Sequence, residues 1–163
     1  MASSDAGTPY EFEYQVFLSY RGPDTRTGIT DYLYTCLDDA GIRVYRDDEE
    51  LRMGERIDGS LLQAIDNSRI YIPIFSRNYA SSSWYLRELS QIVANTLKSE
   101  GNKEILPIFY GVAPDDVELK TPLYDDALQK LNERFGKEQV DAWRKALSEV
   151  DVTKGWEAHD YTG

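Results

Sequence analysis

Cysteine and histidine are almost absent from this chain of 163 residues, which contains one of each, Cys36 and His159. A single cysteine excludes an intramolecular disulfide and argues strongly against a cysteine-based zinc site. We predict that Cys36 is a small core side chain rather than a nucleophile, because it lies in a helix with an apolar face. A catalytic triad needs an imidazole that the fold holds in place, and a histidine among the last five residues is poorly placed for that role.

Long apolar runs and an excess of basic residues are also missing. No stretch approaches the roughly 18 apolar residues of a membrane-spanning helix, and the amino terminus lacks the basic and then apolar pattern of a signal peptide. The 18 lysines and arginines are outnumbered by 29 aspartates and glutamates, which gives a net charge of −11. This charge repels phosphate backbones and argues against nucleic acid as a partner. We therefore expect a soluble protein of a reducing compartment, the cytoplasm, with the nucleus as an alternative.

Short apolar runs alternate with amphipathic helical patterns along the chain. Runs that are almost continuously apolar are typical of strands buried on both faces of a parallel sheet, and they occur at 16–18, 42–45, 70–75 and 105–110. We predict an α/β fold, a flavodoxin-like three-layer sandwich with a parallel sheet of four or five strands in the order 2-1-3-4-5 and helices on both faces. Pro73 lies inside the third strand and predicts a bulge or irregular pairing there.

This strand order also predicts where a ligand would bind. The order reverses between strands 1 and 3, and ligands of such sheets bind at the carboxyl ends of those strands. The candidate segments are therefore 19–28 and 76–88. In the second segment, Trp84 and Glu88 are four residues apart and share one face of a helix. A carboxylate beside an aromatic ring could stabilise or attack a cationic sugar; alternatively, Trp84 is a core residue and Glu88 a solvated acid near a helix start.

Metal binding is the less favoured interpretation of the acidic residues. The run DDEE at 47–50 lacks the spacing of a calcium loop, so we expect it to be solvated and predict no metal site.

Several segments resemble, in the same order, the motifs of plant Toll/interleukin-1 receptor (TIR) domains. The segments are YQVFLSYRGPDTR at 14–26, GIRVYRD at 41–47, SRNYA at 76–80, SW at 83–84 and ILPIFY at 105–110. The resemblance covers about residues 12–156, which we take as the domain. Residues 1–11 are then a disordered amino-terminal segment, and residues 157–163 are a polar tail.

The resemblance implies an enzyme that breaks the nicotinamide–ribose bond of NAD when the domains assemble, an NAD+ glycohydrolase or ADP-ribosyl cyclase. NAD is the substrate, and no further cofactor is implied. Glu88 stands at the position of the family's catalytic glutamate, which would hold the ribose hydroxyls and balance the oxocarbenium charge. The implied substrate-binding residues are Ser19, Tyr20, Arg21, Gly22, Asp24, Ile57 and Trp84. A mobile loop containing Asp47, Leu51 and Gly54 would close over the pocket or reach a neighbouring protomer.

The implied partners are NAD and other TIR domains, in a weak or assembly-dependent homo-oligomer. Thr30 and Asp31 stand where many members carry a Ser-His pair on the first helix, and the expected self-association residues are Thr30, Asp31, Gly155 and Trp156. The chain ends before the family's last helix would be expected. Two alternatives to the NAD-cleaving enzyme stay open: a non-catalytic TIR–TIR interaction module, and an activity on RNA or DNA, against which the net charge argues.

Overall fold

A parallel sheet forms the centre of the computed structural model, which describes residues 12–46 and 59–158. Within those ranges the strands are β1 Tyr14–Tyr20, β2 Val44–Arg46, β3 Ser68–Phe75, β4 Glu104–Ile105, β5 Ile108–Tyr110 and β6 Trp156–Ala158. They lie in the order β2-β1-β3-β5-β6, and β4 pairs with β3. The predicted order is confirmed, because β4 and β5 are the two parts of the predicted fourth strand.

Helices connect the strands, and the apolar spacing predicted the five longer ones. They are α1 Gly22–Thr25, α2 Asp31–Asp39, α3 Gly59–Asp66, α4 Ser83–Lys98, α5 Pro114–Val117, α6 Pro122–Phe135 and α7 Lys137–Ser148. Side chains before two of them act as caps: Ser82 Oγ accepts from the backbone N–H of Tyr85 at 3.4 Å, and Thr121 Oγ1 accepts from Leu123 at 3.4 Å. The segment 21–28, which has two glycines and a proline, contains the helical turn α1 and the first part of the irregular turn Arg26–Thr30.

The sheet separates two apolar cores because successive residues of a strand point to opposite faces. Phe17, Tyr71 and Phe75 point toward α3, α4, α6 and α7 and form the larger core. Leu18 and Ile72 point to the other face, where α2 packs. The structure therefore has helices on both faces of the sheet, as predicted.

The irregular pairing that Pro73 predicted appears as a gap in a ladder. Strand β3 pairs with β4 at Tyr71–Ile105 and with β5 at Ile74–Ile108, with the same register before and after the gap. Pro73 has no N–H to donate, and the unchanged register shows that a rung is missing and no residue is inserted. The fourth predicted strand is split for this reason.

Two sequence expectations differ from the fold. Cys36 is exposed, contrary to the predicted core position. Helix α2 packs on the sheet through Leu33, Tyr34 and Leu37, which are only partly buried, and Cys36 lies outside that face. In addition, β6 continues to Ala158, past residue 156, at which we ended the domain. In the described ranges, no helix is both long and apolar enough to cross a membrane.

Gly155 lies directly before β6 and packs so closely against β5 that there is no room for the Cβ atom that any other residue carries. A Cβ built on Gly155 would lie 2.4 Å from the carbonyl oxygen of Pro107 and 2.7 Å from the Phe109 ring. The carbonyl belongs to the backbone and cannot rotate away. The glycine is therefore required for the docking of the last strand.

We predict that Gly155→Ala lowers the free energy of unfolding by about 1–3 kcal/mol, because the added methyl group forces β6 away from β5. Urea denaturation followed by circular dichroism measures this change. Gly59→Ala is the matched control: Gly59 opens α3, a Cβ added there would have no described atom outside its own helix within 4 Å, and alanine favours helix. Equal stability of the two variants would contradict the close packing at Gly155.

Candidate active site

The carboxyl ends of β1 and β3 lie side by side, with Tyr20 opposite Ile74. The segment that follows β1 therefore meets the segment that follows β3. Polar side chains from both segments form a hydrogen-bonded cluster at this edge of the sheet. This is the location that the predicted strand order gives for a ligand.

Asp24 is the centre of the cluster. Its Oδ2 accepts hydrogen bonds from Ser76 Oγ at 2.6 Å and from the backbone N–H of Asn78 at 3.0 Å. Its Oδ1 accepts from Asn78 Nδ2 at 3.3 Å and from Arg21 Nη1 at 2.9 Å. Burial acts to raise the pKa of the Asp24 carboxyl, but the hydrogen bonds from Ser76 and Asn78 and the charge of Arg21 outweigh burial and lower it. The carboxylate is therefore ionised and fixed.

A second pair of polar side chains lies beneath this cluster. Ser19 Oγ and Tyr79 Oη share a hydrogen bond of 2.7 Å, and both residues are fully buried. Burial, together with the nearby charge of Glu88, raises the pKa of the Tyr79 hydroxyl, although the hydrogen bond with Ser19 acts in the opposite direction. Tyr79 is consequently a neutral phenol that connects the end of β1 to the surroundings of Glu88.

Glu88 and Trp84 lie on the buried face of α4, as their spacing predicted. Glu88 is 1% exposed and Trp84 is 7% exposed. The alternative is therefore wrong for Glu88, which is not a solvated acid, and right for Trp84, which packs in the larger core. A carboxylate in a medium of low polarity interacts strongly with any cation that comes near it. Chemically, the arrangement suits the stabilisation of positive charge that develops on a bound substrate.

The structure brings together some of the predicted substrate-binding residues and separates others. Arg21 and Asp24 are ion-paired, and Gly22 begins the intervening helical turn α1. Tyr20, however, points to the opposite face of the sheet from Ser19 and packs in the smaller core. Tyr20 is therefore not among the side chains around Glu88. The predicted residues Asp47, Leu51, Gly54 and Ile57 lie outside the described residues.

Of the four predicted self-association residues, two are buried or closely packed and two are exposed. Thr30 is fully buried and shares a hydrogen bond of 2.7 Å with Thr25, so it supports the start of α2 and does not reach the surface. Gly155 is packed against β5. Asp31 is exposed and pairs with Arg46 at 2.8 Å, and Trp156 is 59% exposed. Only these last two of the four offer side chains to a partner.

Sequence reasoning missed several members of the site. Ser76, Asn78 and Tyr79 lie within the segment 76–88 that the strand order selected, so their position directly after β3 was an available signal. Tyr124 on α6 donates from its hydroxyl to the Ser76 carbonyl at 2.6 Å and holds the segment from below. No local pattern marks Tyr124, because the contact joins residues far apart in the chain. Among the described residues, no three potential metal ligands are clustered.

Comparison with known proteins identifies the family. The model of the TIR domain matches residues 13–162. The chain belongs to the TIR domain family. It is 41% identical over 153 residues to the disease resistance protein RUN1 of Vitis rotundifolia and 38% identical over 157 residues to the TMV resistance protein N of Nicotiana glutinosa. These matches cover 93% and 95% of this chain but only 11% and 13% of the two relatives.

A solved structure shows the same fold. The TIR domains of the activated Roq1 resistosome superpose with a TM-score of 0.79 at 38% identity, covering 88% of this chain and 87% of that one. The resemblance stated from the motifs and the predicted fold class are both confirmed.

The lowered pKa of Asp24 predicts a pH-dependent effect on stability. In the unfolded chain the carboxyl has its ordinary pKa of 3.8, so its ionised form stabilises the fold above that pH. This contribution is lost as the pH falls through the lower pKa of the folded state. We expect Asp24→Asn to unfold at lower urea than the wild type at pH 7, with a loss of about 1–3 kcal/mol, and the difference to narrow below about pH 4.

The measurement is urea unfolding at pH 7 and at pH 3. Asp141→Asn removes one charge from an exposed pair with Lys137 and serves as the control, since such pairs contribute little to stability. If the wild type and Asp24→Asn differed in free energy of unfolding by the same amount at pH 7 and at pH 3, this result would contradict the ionised, hydrogen-bonded state of Asp24.

Proposed function

We propose that this TIR domain cleaves NAD at the nicotinamide–ribose bond and releases nicotinamide together with ADP-ribose or a cyclic or variant form of it. The observation that supports this proposal is the position of Glu88. Its carboxylate is buried on α4, next to Tyr79, at the edge of the sheet where ligands of this fold class bind. In the proposal, Glu88 is the catalytic residue.

The proposed chemistry needs one negative charge and little else from the protein. When the bond between the ribose carbon and the nicotinamide nitrogen breaks, both electrons leave with neutral nicotinamide and the ribose becomes an oxocarbenium ion. The Glu88 carboxylate stabilises that cation. Water then attacks the ribose carbon and releases a proton to give ADP-ribose, or a group within the ADP-ribose attacks and gives a cyclic product. The substrate supplies its own leaving group, so no further cofactor takes part.

We also propose that the domain signals in plant immunity by associating with other TIR domains. The similar plant proteins are named as disease resistance proteins, and the Roq1 TIR domains belong to an activated resistosome. Asp31 and Trp156 are the exposed candidates for such contacts. We place this activity in the cytoplasm or nucleus. A chain with one cysteine forms no intramolecular disulfide, which is the bond that an oxidising compartment preserves.

The test of the catalytic proposal is the release of nicotinamide from NAD by concentrated protein. Glu88→Gln keeps the shape of the side chain and removes its charge, so we expect its rate to fall about 100-fold or more, the loss typical of a removed electrostatic contact. Glu133→Gln makes the same substitution at an exposed position of α6 and should retain the wild-type rate. Thermal unfolding checks that both variants are folded.

The possible outcomes separate the candidate functions. Wild-type activity in Glu88→Gln would overturn the assigned chemistry. A wild type that releases no nicotinamide at any concentration would favour the non-catalytic interaction module. Cleavage of RNA or DNA at physiological salt would support the third alternative.

Assembly adds a second prediction. If cleavage needs contacts between domains, the rate per protomer should rise steeply with protein concentration, because the active species is an oligomer. Nicotinamide release is measured across a concentration series, with sedimentation velocity on the same samples. A constant rate per protomer over a range in which oligomers form would contradict the dependence on assembly.

A further inference from the structure

The Asp24 carboxylate is fully occupied by contacts within the protein. An ionised carboxylate offers about four positions to hydrogen-bond donors. Ser76 Oγ, the Asn78 backbone and side chain, and Arg21 Nη1 supply four donors at 2.6–3.3 Å. No acceptor position is left for a hydroxyl of a bound ligand. Asp24, which the resemblance placed among the substrate-binding residues, therefore acts on other protein groups.

Arg21 has the longest side chain of this cluster and is the member that can reach a ligand. Its side chain is 30% exposed, against 13% for Asp24. A guanidinium carries five N–H groups, and within the described ranges the ion pair with Asp24 uses Nη1. The remaining N–H groups are available at the carboxyl end of β1, beside the segment that leads to Glu88. The pair with Asp24 thus restricts a long flexible side chain at this edge of the sheet.

Because the chain as a whole is acidic, an anionic ligand needs a cationic side chain that is held in place to bind it. A net charge of −11 repels an anionic ligand. A guanidinium matches the geometry of phosphate oxygens and binds two of them at once when it is held in the correct orientation. A diphosphate is therefore the ligand chemistry that an oriented arginine at this edge of the sheet favours.

We propose that Asp24 is a positioning residue that orients the Arg21 guanidinium toward the diphosphate of the dinucleotide and does not itself touch the substrate. The proposal rests on the proposed function for the identity of the ligand. It deepens that function by assigning the two members of the ion pair different roles.

A double-mutant cycle on binding tests this assignment. NAD binding is measured by calorimetry in the Glu88→Gln background, where turnover is suppressed, and ADP-ribose binding is measured with Glu88 intact as a second background. We expect Arg21→Gln and Asp24→Asn each to raise Kd about tenfold. The first variant removes the guanidinium that contacts the diphosphate, and the second removes the charge that holds this guanidinium in place. Because Asp24 acts through Arg21, the double variant should bind no more weakly than Arg21→Gln alone.

A ligand without phosphate separates positioning from general structural damage. Nicotinamide riboside carries the bond to be broken but no diphosphate, so its binding, followed by ligand-observed NMR, should change less than twofold in Asp24→Asn. Arg144→Gln is the matched control, because it removes an arginine from another ion pair, with Asp125, between α6 and α7. Its affinity for NAD should equal that of the parent protein.

Each alternative result has a definite meaning. Multiplying effects in the double variant, about 100-fold in Kd, would show that Asp24 contacts the ligand directly. Equal weakening of the riboside and of NAD would show that Asp24 only maintains the fold. An unchanged Kd in Arg21→Gln, or no NAD or ADP-ribose binding in either background, would also overturn the proposal.

Nicotinamide release by the unmutated protein is recorded separately from these affinities. If the protein binds NAD through the pair but releases no nicotinamide, the proposed function fails and the positioning role stands. If nicotinamide is released but the cycle is additive, the positioning role fails and the proposed function stands.

Discussion

The pairing of β1 with β3 is the constraint on which the rest of the structure depends. The ladder runs without interruption from Tyr14 opposite Ser68 to Tyr20 opposite Ile74. Both strands send alternate side chains into both cores, so neither can shift by one residue without turning apolar groups to the wrong face. Because the strands are parallel and end at the same level, the two segments that follow them must meet. The cluster around Asp24 is the consequence of that meeting.

Much of this could be predicted from local patterns, and each failure has a physical cause. Apolar runs predicted the strands, helical spacing predicted the shared face of Trp84 and Glu88, and the strand order predicted where the candidate site lies. Cys36 is exposed because α2 packs on the sheet through a narrow face, and that packing joins residues far apart in the chain, which a local pattern does not contain. Thr30 is buried by a local contact with Thr25 in an irregular turn, which has no regular spacing that a pattern could show. The opposite directions of Ser19 and Tyr20 did follow from strand alternation, but the motif resemblance grouped them as one binding segment.

The burial of Glu88 bears on whether the domain is the proposed enzyme or a purely adhesive domain. A carboxylate costs free energy when it is taken out of water, and the neighbouring positions on the same face of α4 are filled by Leu89 and Ile92. An apolar residue at position 88 would serve packing at least as well. A domain that acted only through its surface would gain nothing from the charge, whereas cleavage of a glycosidic bond through a cationic sugar needs it. This difference favours the catalytic interpretation.

Charge also explains why the proposed activity would depend on crowding of the domains. Two copies that each carry −11 repel one another at distances up to a Debye length, about 10 Å at 0.1 M salt. Attraction must therefore come from short-range contacts, and the described surface offers few large apolar groups, Tyr32, Leu97 and Trp156. Three apolar side chains are fewer than the apolar core of an obligate interface contains, so we expect weak association. A weakly associating acidic domain assembles when a larger structure holds copies together, because a high local concentration replaces intrinsic affinity. The same acidity that argues against nucleic acid thus opposes association of isolated domains, and an assembly-dependent activity would respond to the number of copies gathered in one place.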